Sequence, residues 1–223
     1  MTQTKTYHIP PTPLIPNSPH PILHYPGLLL PLIQSPSFTP LAIHTLFKSN
    51  DWHTQWIVRY DVTQPAHYHA TTHEVMAVIS GEGATIRIGV ADLESESSND
   101  NHEKGGIEIQ AQLGDVFVVP AGVAHKTYNP VPESKGFEQL LRADGHLGSD
   151  EEAEKRLKGV RLDGGFMMMG AYPEGCDWDW GAPGEWKGRE EEVWNVKVPE
   201  RDPVLGSSGE GMVGLWRKGK GKL

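Results

Sequence analysis

Cysteine is all but missing: Cys176 is the single one among 223 residues. One thiol cannot form an intramolecular disulfide, so the core alone must hold the fold, and this usage suits a reducing compartment. Long apolar runs are missing too. No stretch reaches 18 apolar residues, and the run Leu28 to Ile33 is short and broken by Pro31. No membrane-spanning helix is therefore expected, and that run lies too far in to be a signal peptide. Positive charge is in deficit, with 20 Lys and Arg against 29 Asp and Glu and a net charge of −9. Such a chain repels phosphate, which excludes nucleic acid as the expected partner. Internal repeats and phosphate-binding glycine motifs are absent as well. The expected location is the cytoplasm. A weaker peroxisomal alternative comes from Gly221-Lys222-Leu223, which loosely resembles a Ser-Lys-Leu address; a frayed basic tail is the simpler reading.

What the chain has in quantity is turn formers, 25 Gly and 18 Pro. They would break a helical bundle but suit turn-rich β structure. Ten of the prolines fall between residues 8 and 40, which reads as an extended arm wrapped on a core built later in the chain. Residues 41–48 can form either a helix or a strand. Strand patterns follow at 56–61, 73–80, 84–90, 107–112 and 116–119, separated by the turns Gly81-Glu82-Gly83, Gly114-Asp115 and Pro120-Ala121-Gly122. Residues 92–104 are polar and acidic and read as a surface loop. One helix is well signalled at 149–159. Ser149 and Glu152 have capping-box spacing, acids lead, bases follow, and Gly159 can end it. We read residues 1–50 as an arm, 51–145 as the core and 146–223 as an extension completing the same single domain.

The chemistry concentrates in histidines. Three of the eleven, His67, His69 and His73, fall within seven residues, with Glu74 directly after. On a strand, His67 and His69 point to the same side, so both imidazoles can close on one ion. A carboxylate just past a bend can join them. His125, beyond a strand and the Pro-Ala-Gly turn, is the best candidate for a further ligand. Two or three His with one carboxylate suit Fe(II), Mn(II), Ni(II) or Zn(II). Met167-Met168-Met169 reads as a core strand, and most of the seven Trp as packing residues.

These residues resemble the two motifs of the cupin superfamily. The first is Gly, five residues, His-x-His, three or four residues, Glu, six residues, Gly. Here His67, His69, Glu74 and Gly81 fit it, and only the leading Gly is replaced, by Asp61. The second is Gly, five residues, Pro-x-Gly, two residues, His, three residues, Asn. Gly114, Pro120, Gly122, His125 and Asn129 fit it throughout. The chain looks like the small single-domain cupins of bacteria and fungi over nearly its whole length. Further stretches that carry the likeness are Trp52–Trp56, Gly170–Pro173, Trp178-Asp179 and Asp202–Gly206. The resemblance implies an all-β fold, a double-stranded β-helix or jelly roll, with a proline-rich extension and short peripheral helices.

It also implies one divalent transition metal inside the barrel, Fe(II) or Mn(II) ahead of Zn(II) or Ni(II), held by His67, His69, Glu74 and His125. His73 is the alternative to Glu74 if a bulge shifts the register by one. Otherwise His73, with Tyr68, is a candidate catalytic base. The expected activity is a dioxygenase-like oxidation of a small organic molecule. A non-redox isomerase or epimerase and a ligand-binding module are the alternatives. A small-molecule substrate is the expected partner, and the fold admits a homodimer.

Overall fold

The computed structural model describes residues 3–93, 99–134, 136–143 and 147–216. In chain order the strands are β1 (Lys5–Tyr7), β2 (Ile22–Tyr25), β3 (Trp52–Arg59), β4 (Glu74–Ser80), β5 (Gly83–Ile88), β6 (Ile107–Gln112), β7 (Val116–Val119), β8 (His125–Val131), β9 (Glu138–Arg142) and β10 (Met167–Pro173). Short helices are α1 (Leu30–Ile33), α2 (Pro40–Lys48), α3 (Asp150–Lys158), α4 (Glu190–Trp194) and α5 (Met212–Leu215). All the pairings are antiparallel. One sheet runs β1-β2-β7-β4-β10-β3-β9 and the other β6-β5-β8. Two such sheets face to face make the jelly roll that the turn-rich composition suggests.

The inner strands β2, β7, β4 and β10 of the larger sheet are buried on both sides, and the pleat decides which side each residue serves. On β4, Val75, Ala77 and Ile79 join a core beneath α2, α3 and Trp216, with Ile43, Phe47, Ala153 and Leu157 from the helices. Met76 and Val78, the residues between, join the core between the sheets with Ile86 and Ile88 of β5 and Ile109 of β6. The Met triplet divides the same way, Met167 and Met169 outward and Met168 inward. Strands with two apolar faces lose the alternating pattern, so β4 and β10 read as continuous apolar runs.

The arm is less simple than an extended wrap. Its proline-free stretch Ile22–Tyr25 pairs with β7 inside the large sheet, so it is a strand. Pro31 opens α1, where its missing N–H costs nothing. Residues 41–48 are helical, as α2. Capping of α3 follows the sequence signal: the Ser149 side chain accepts from the Glu152 N–H, and Glu152 reaches back to the Ser149 N–H. Between 92 and 104 the flanks are tied down rather than loose. Buried Glu103 accepts hydrogen bonds from Thr12, Leu14 and Ala91, and Asp92 pairs with the fully buried Lys126. Residues 94–98 and the basic tail from 217 lie outside the described residues. Among the described residues no helix is long and apolar enough to cross a membrane.

The far end of the chain closes the structure. Asp202 is fully buried, accepts from the N–H groups of Val204, Leu205 and Met212, and also receives the Tyr25 hydroxyl. Trp216 donates to the Pro21 carbonyl at 2.8 Å. The arm and the C-terminal turn are thereby pinned to each other across the same face of the sheet.

Candidate metal centre

His67 and His125 face each other across a two-residue antiparallel bridge. The His67 N–H donates to the His125 carbonyl at 3.1 Å, and the His125 N–H donates back at 2.8 Å. Directly paired residues put their side chains on one face, and His69, two residues on from His67, shares it. The turn before His125 needs its glycine. Gly122 has φ +87°, and a Cβ there would meet the Asn17 carbonyl oxygen at 2.4 Å. The Gly122 N–H also donates to the His69 carbonyl at 2.7 Å, which ties both motifs together. As a result His67, His69 and His125, all buried, offer ligand atoms within 4.8 Å of one another.

The outer nitrogens of these rings are all spoken for. Nδ1 of His67 faces the Pro65 carbonyl at 3.2 Å, Nδ1 of His69 the Asp179 carbonyl at 2.7 Å, and Nδ1 of His125 the Val123 carbonyl at 3.2 Å. A carbonyl only accepts, so each Nδ1 carries the hydrogen and each neutral ring keeps its lone pair on Nε2. Carbonyl partners of this kind fix the ring orientation in metal sites. Trp180 adds a wall by stacking on His67, with centroids 4.0 Å apart and planes within 6°.

Glu74, at the start of β4 and 2% exposed, reaches the same point from the large sheet. Its Oε2 lies 3.4 Å from His69 Nε2 and 3.1 Å from His125 Nε2, and no well-formed hydrogen bond satisfies it. Its Oε1 accepts from the Trp56 indole N–H at 3.0 Å. The indole reaches that far because it lies across Gly170 of β10, where a Cβ would sit 2.0 Å from the ring. Glu74 is thus aimed by a neighbour on β3, although it stands outside the mutual group formed by the three imidazoles.

Electrostatics within the cluster are strongly coupled. Burial, reinforced by the neighbouring His125 and His69, holds the His67 pKa well below the usual imidazole value. Burial would lower His69 as well, but the Glu74 carboxylate and Asp179 outweigh it and push His69 up to about 10. Burial would raise Glu74, yet His69 and His125 hold it well below the usual carboxylate range. A buried carboxylate, lone pairs facing one point and an unsatisfied oxygen fit a divalent ion of the Fe, Mn, Ni or Zn type.

The two side chains expected to assist catalysis face elsewhere. Tyr68 lies between the paired histidines, so the pleat turns it away. It packs with Ile15 and Val193, and its hydroxyl donates to the Ala182 carbonyl at 2.9 Å. His73 precedes Glu74 and takes the opposite side. Its Nδ1 accepts the Ala121 N–H at 2.9 Å, and its ring meets Trp216 with centroids 4.9 Å apart. Neither lines the cavity that opens onto the cluster.

That cavity measures about 670 Å³. Its walls bring in side chains that sequence reasoning did not assign: Trp56, Tyr60, Phe137, Arg142 and Tyr172, together with Trp178 and Trp180, read there mostly as packing. Trp56 and Tyr60 alternate along the β3 segment, but nothing in a single strand shows what lies across from it. The strand arginines Arg59 and Arg87 are engaged elsewhere, Arg59 with Glu138 and Asp163 and Arg87 with Glu108.

Comparison with known proteins places both histidine motifs in one family. The family model described as Cupin matches residues 58–139, the stretch holding both histidine motifs. The barrel is a cupin. YjlB of Bacillus subtilis (strain 168), itself described as uncharacterized, is 29% identical over 222 residues, covering 97% of this chain and 98% of its own. Among solved structures, a cupin-2 domain containing protein from Shewanella frigidimarina NCIMB 400 is 21% identical, with a TM-score of 0.28 over 56% of this chain and 72% of its own. The dTDP-6-deoxy-D-glucose-3,5-epimerase RmlC from Legionella pneumophila Philadelphia 1 is 12% identical, with a TM-score of 0.30 over 79% of this chain and 73% of its own.

Proposed function

We propose that this cupin is a metal-dependent enzyme acting on a small organic molecule, with dioxygenase-type oxidoreductase chemistry as the leading reading. His67, His69 and His125 hold the ion and Glu74 supplies the fourth donor. The observation that carries the proposal is the set of three Nδ1–H groups bound to the carbonyls of Pro65, Asp179 and Val123. That arrangement turns all three Nε2 atoms to one point, where Glu74 Oε2 also faces those of His69 and His125. When bound, an Fe(II) or Mn(II) ion supplies a Lewis-acidic, redox-capable centre with positions open to substrate.

The chain's own part is placement. Trp56 fixes one oxygen of Glu74 and leaves the other facing the imidazoles. Aromatic walls exclude water from the inner end of the cavity, which strengthens every charge interaction there. Buried Tyr172 lines the same cavity. Its hydroxyl pKa is pushed well above the usual value, by burial and then by the Glu74 charge, so it stays protonated and can donate a hydrogen bond. The isomerase reading needs a base beside the ion, and both candidates for it, His73 and Tyr68, lie outside the cavity.

Elemental mass spectrometry on the purified wild type and on His67→Ala/His125→Ala tests the proposal. Near-stoichiometric Fe or Mn in the wild type and at least tenfold less in the double variant is the expected result. Absence of any metal from both, even after reconstitution, overturns it. Substrate-dependent oxygen consumption by the loaded wild type separates the oxidative reading from the isomerase reading.

A further inference from the structure

The cavity's walls point to a class of ligand. Large hydrophobic side chains are seldom left in water without a reason when they gather in one place. Here Phe137, Trp178 and Trp180 are 53%, 43% and 49% exposed, and all three line this cavity. Tyr60 extends the aromatic surface through an edge-on contact with Phe137, with centroids 6.2 Å apart. At the opposite end of β9 the Arg142 guanidinium lies over the Trp178 ring, 4.9 Å from its centroid. Arg142 is the one Lys or Arg side chain among the lining residues. The Asp177 carboxylate at the same rim accepts from the N–H of Trp178.

The register supplies a length. Met76, Gly170, Trp56 and Arg142 stand opposite one another in a single row across β4, β10, β3 and β9. Glu74 lies two residues from Met76 on the same face. Three strand spacings separate the first and last backbones, about 14 Å. Side chains stand off the sheet from those backbones, so Arg142 and Glu74 bound the cavity at two sides. The total volume lies within the roughly 300–1,000 Å³ that small-ligand pockets offer.

Resting on the metal reading, we propose that the cavity takes a flat aromatic carboxylic acid. Its carboxylate meets Arg142, its ring faces lie against Trp178 and Phe137, and its far edge points towards the three imidazoles. A guanidinium over an indole is well suited to this role. The fork pairs with a carboxylate, while the ring beneath continues as a stacking surface. Edge or offset contacts with Trp and Phe favour flat ligands over puckered ones of equal charge.

The test uses the full chain loaded with Co(II), with binding followed by quenching of tryptophan fluorescence and by calorimetry. The probes are 1-hydroxy-2-naphthoate (flat and anionic), 2-naphthamide (flat and neutral), and cyclohexanecarboxylate and gluconate (anionic but not flat). The naphthoate is expected to bind at least tenfold more tightly than any of the other three. Arg142→Gln is expected to remove the preference over the amide, and Trp178→Ala and Phe137→Ala the preference over cyclohexanecarboxylate. All three side chains stand at the cavity wall, and unchanged melting curves and cobalt content show that each variant is folded and loaded. Equal binding of all four probes, or of none, by protein that holds cobalt overturns the aromatic-acid assignment and leaves the metal reading standing. Arg142-dependent naphthoate binding by protein that holds no metal overturns the metal reading and leaves this one standing.

Discussion

His73 and Glu74 are neighbours in the chain, are each 2% exposed, and have opposite fates. His73 turns towards Trp216 and the outer core, where the Ala121 N–H meets its Nδ1 and burial, with His20 nearby, takes its pKa down to about 3. It is a neutral packing group with a satisfied acceptor. Glu74 turns between the sheets, where one oxygen is anchored by an indole and the other is left facing two imidazoles. Residue type does not separate the two, since either can ligate a metal. The pleat does, because adjacent strand residues must take opposite faces.

Breaking the inward member has the largest expected effect. Glu74→Ala should lower metal affinity by more than the roughly 10–100-fold typical of outer partners, as read by chelator competition. Next come the residues that aim it. Trp56→Phe keeps the ring but removes the N–H, and Gly170→Ala leaves no room for the indole where it lies. Each should weaken metal binding about tenfold. The double variant should cost little more than either single one, because both act through one contact. Full additivity would show that Gly170 matters for another reason.

A smaller effect is expected at Asp179. His69 leans on the backbone carbonyl of that residue, which any substitution keeps. Asp179→Asn should therefore change metal affinity by less than the roughly tenfold lower limit for outer partners. The outward member completes the series. His73→Ala should leave metal content unchanged and destabilise the fold by about 2–4 kcal/mol, through lost packing and an unsatisfied Ala121 N–H. Thermal melting measures the second effect and elemental analysis the first. Loss of metal in a folded His73→Ala variant would reverse the comparison.

Motif spacing carries the sequence reading of the site because it is local. His-x-His and Pro-x-Gly-x-x-His each set a short piece of backbone, and a bridge between His67 and His125 then joins them. The strands at 107–112 and 116–119 and the helix at α3 were legible for the same reason. Trp56, Tyr172, Arg142 and Asp179 were not. Their roles depend on which strands lie side by side, and the order β4-β10-β3-β9 joins segments far apart in the chain. Gly170 shows the limit well. It lies in a stretch whose likeness to other cupins was visible, yet its purpose appears only when Trp56 is laid across it. The arm was read as wrapping chain because proline density hid the four residues that form β2.

The loop after β10 contributes the Asp179 carbonyl to His69, the Trp180 ring to His67 and the Gly181 N–H to Tyr68. His69 and Asp179 are 110 positions apart. At synthesis rates of about 5–20 residues per second, a ribosome needs roughly 6–22 s to travel from one to the other. For that interval the histidine pair has left the peptidyl centre without the carbonyl that sets its tautomer. On the metal reading, the site is complete only late in the life of a nascent chain, on the arrival of a loop well beyond the stretch 58–139 that carries the histidine motifs.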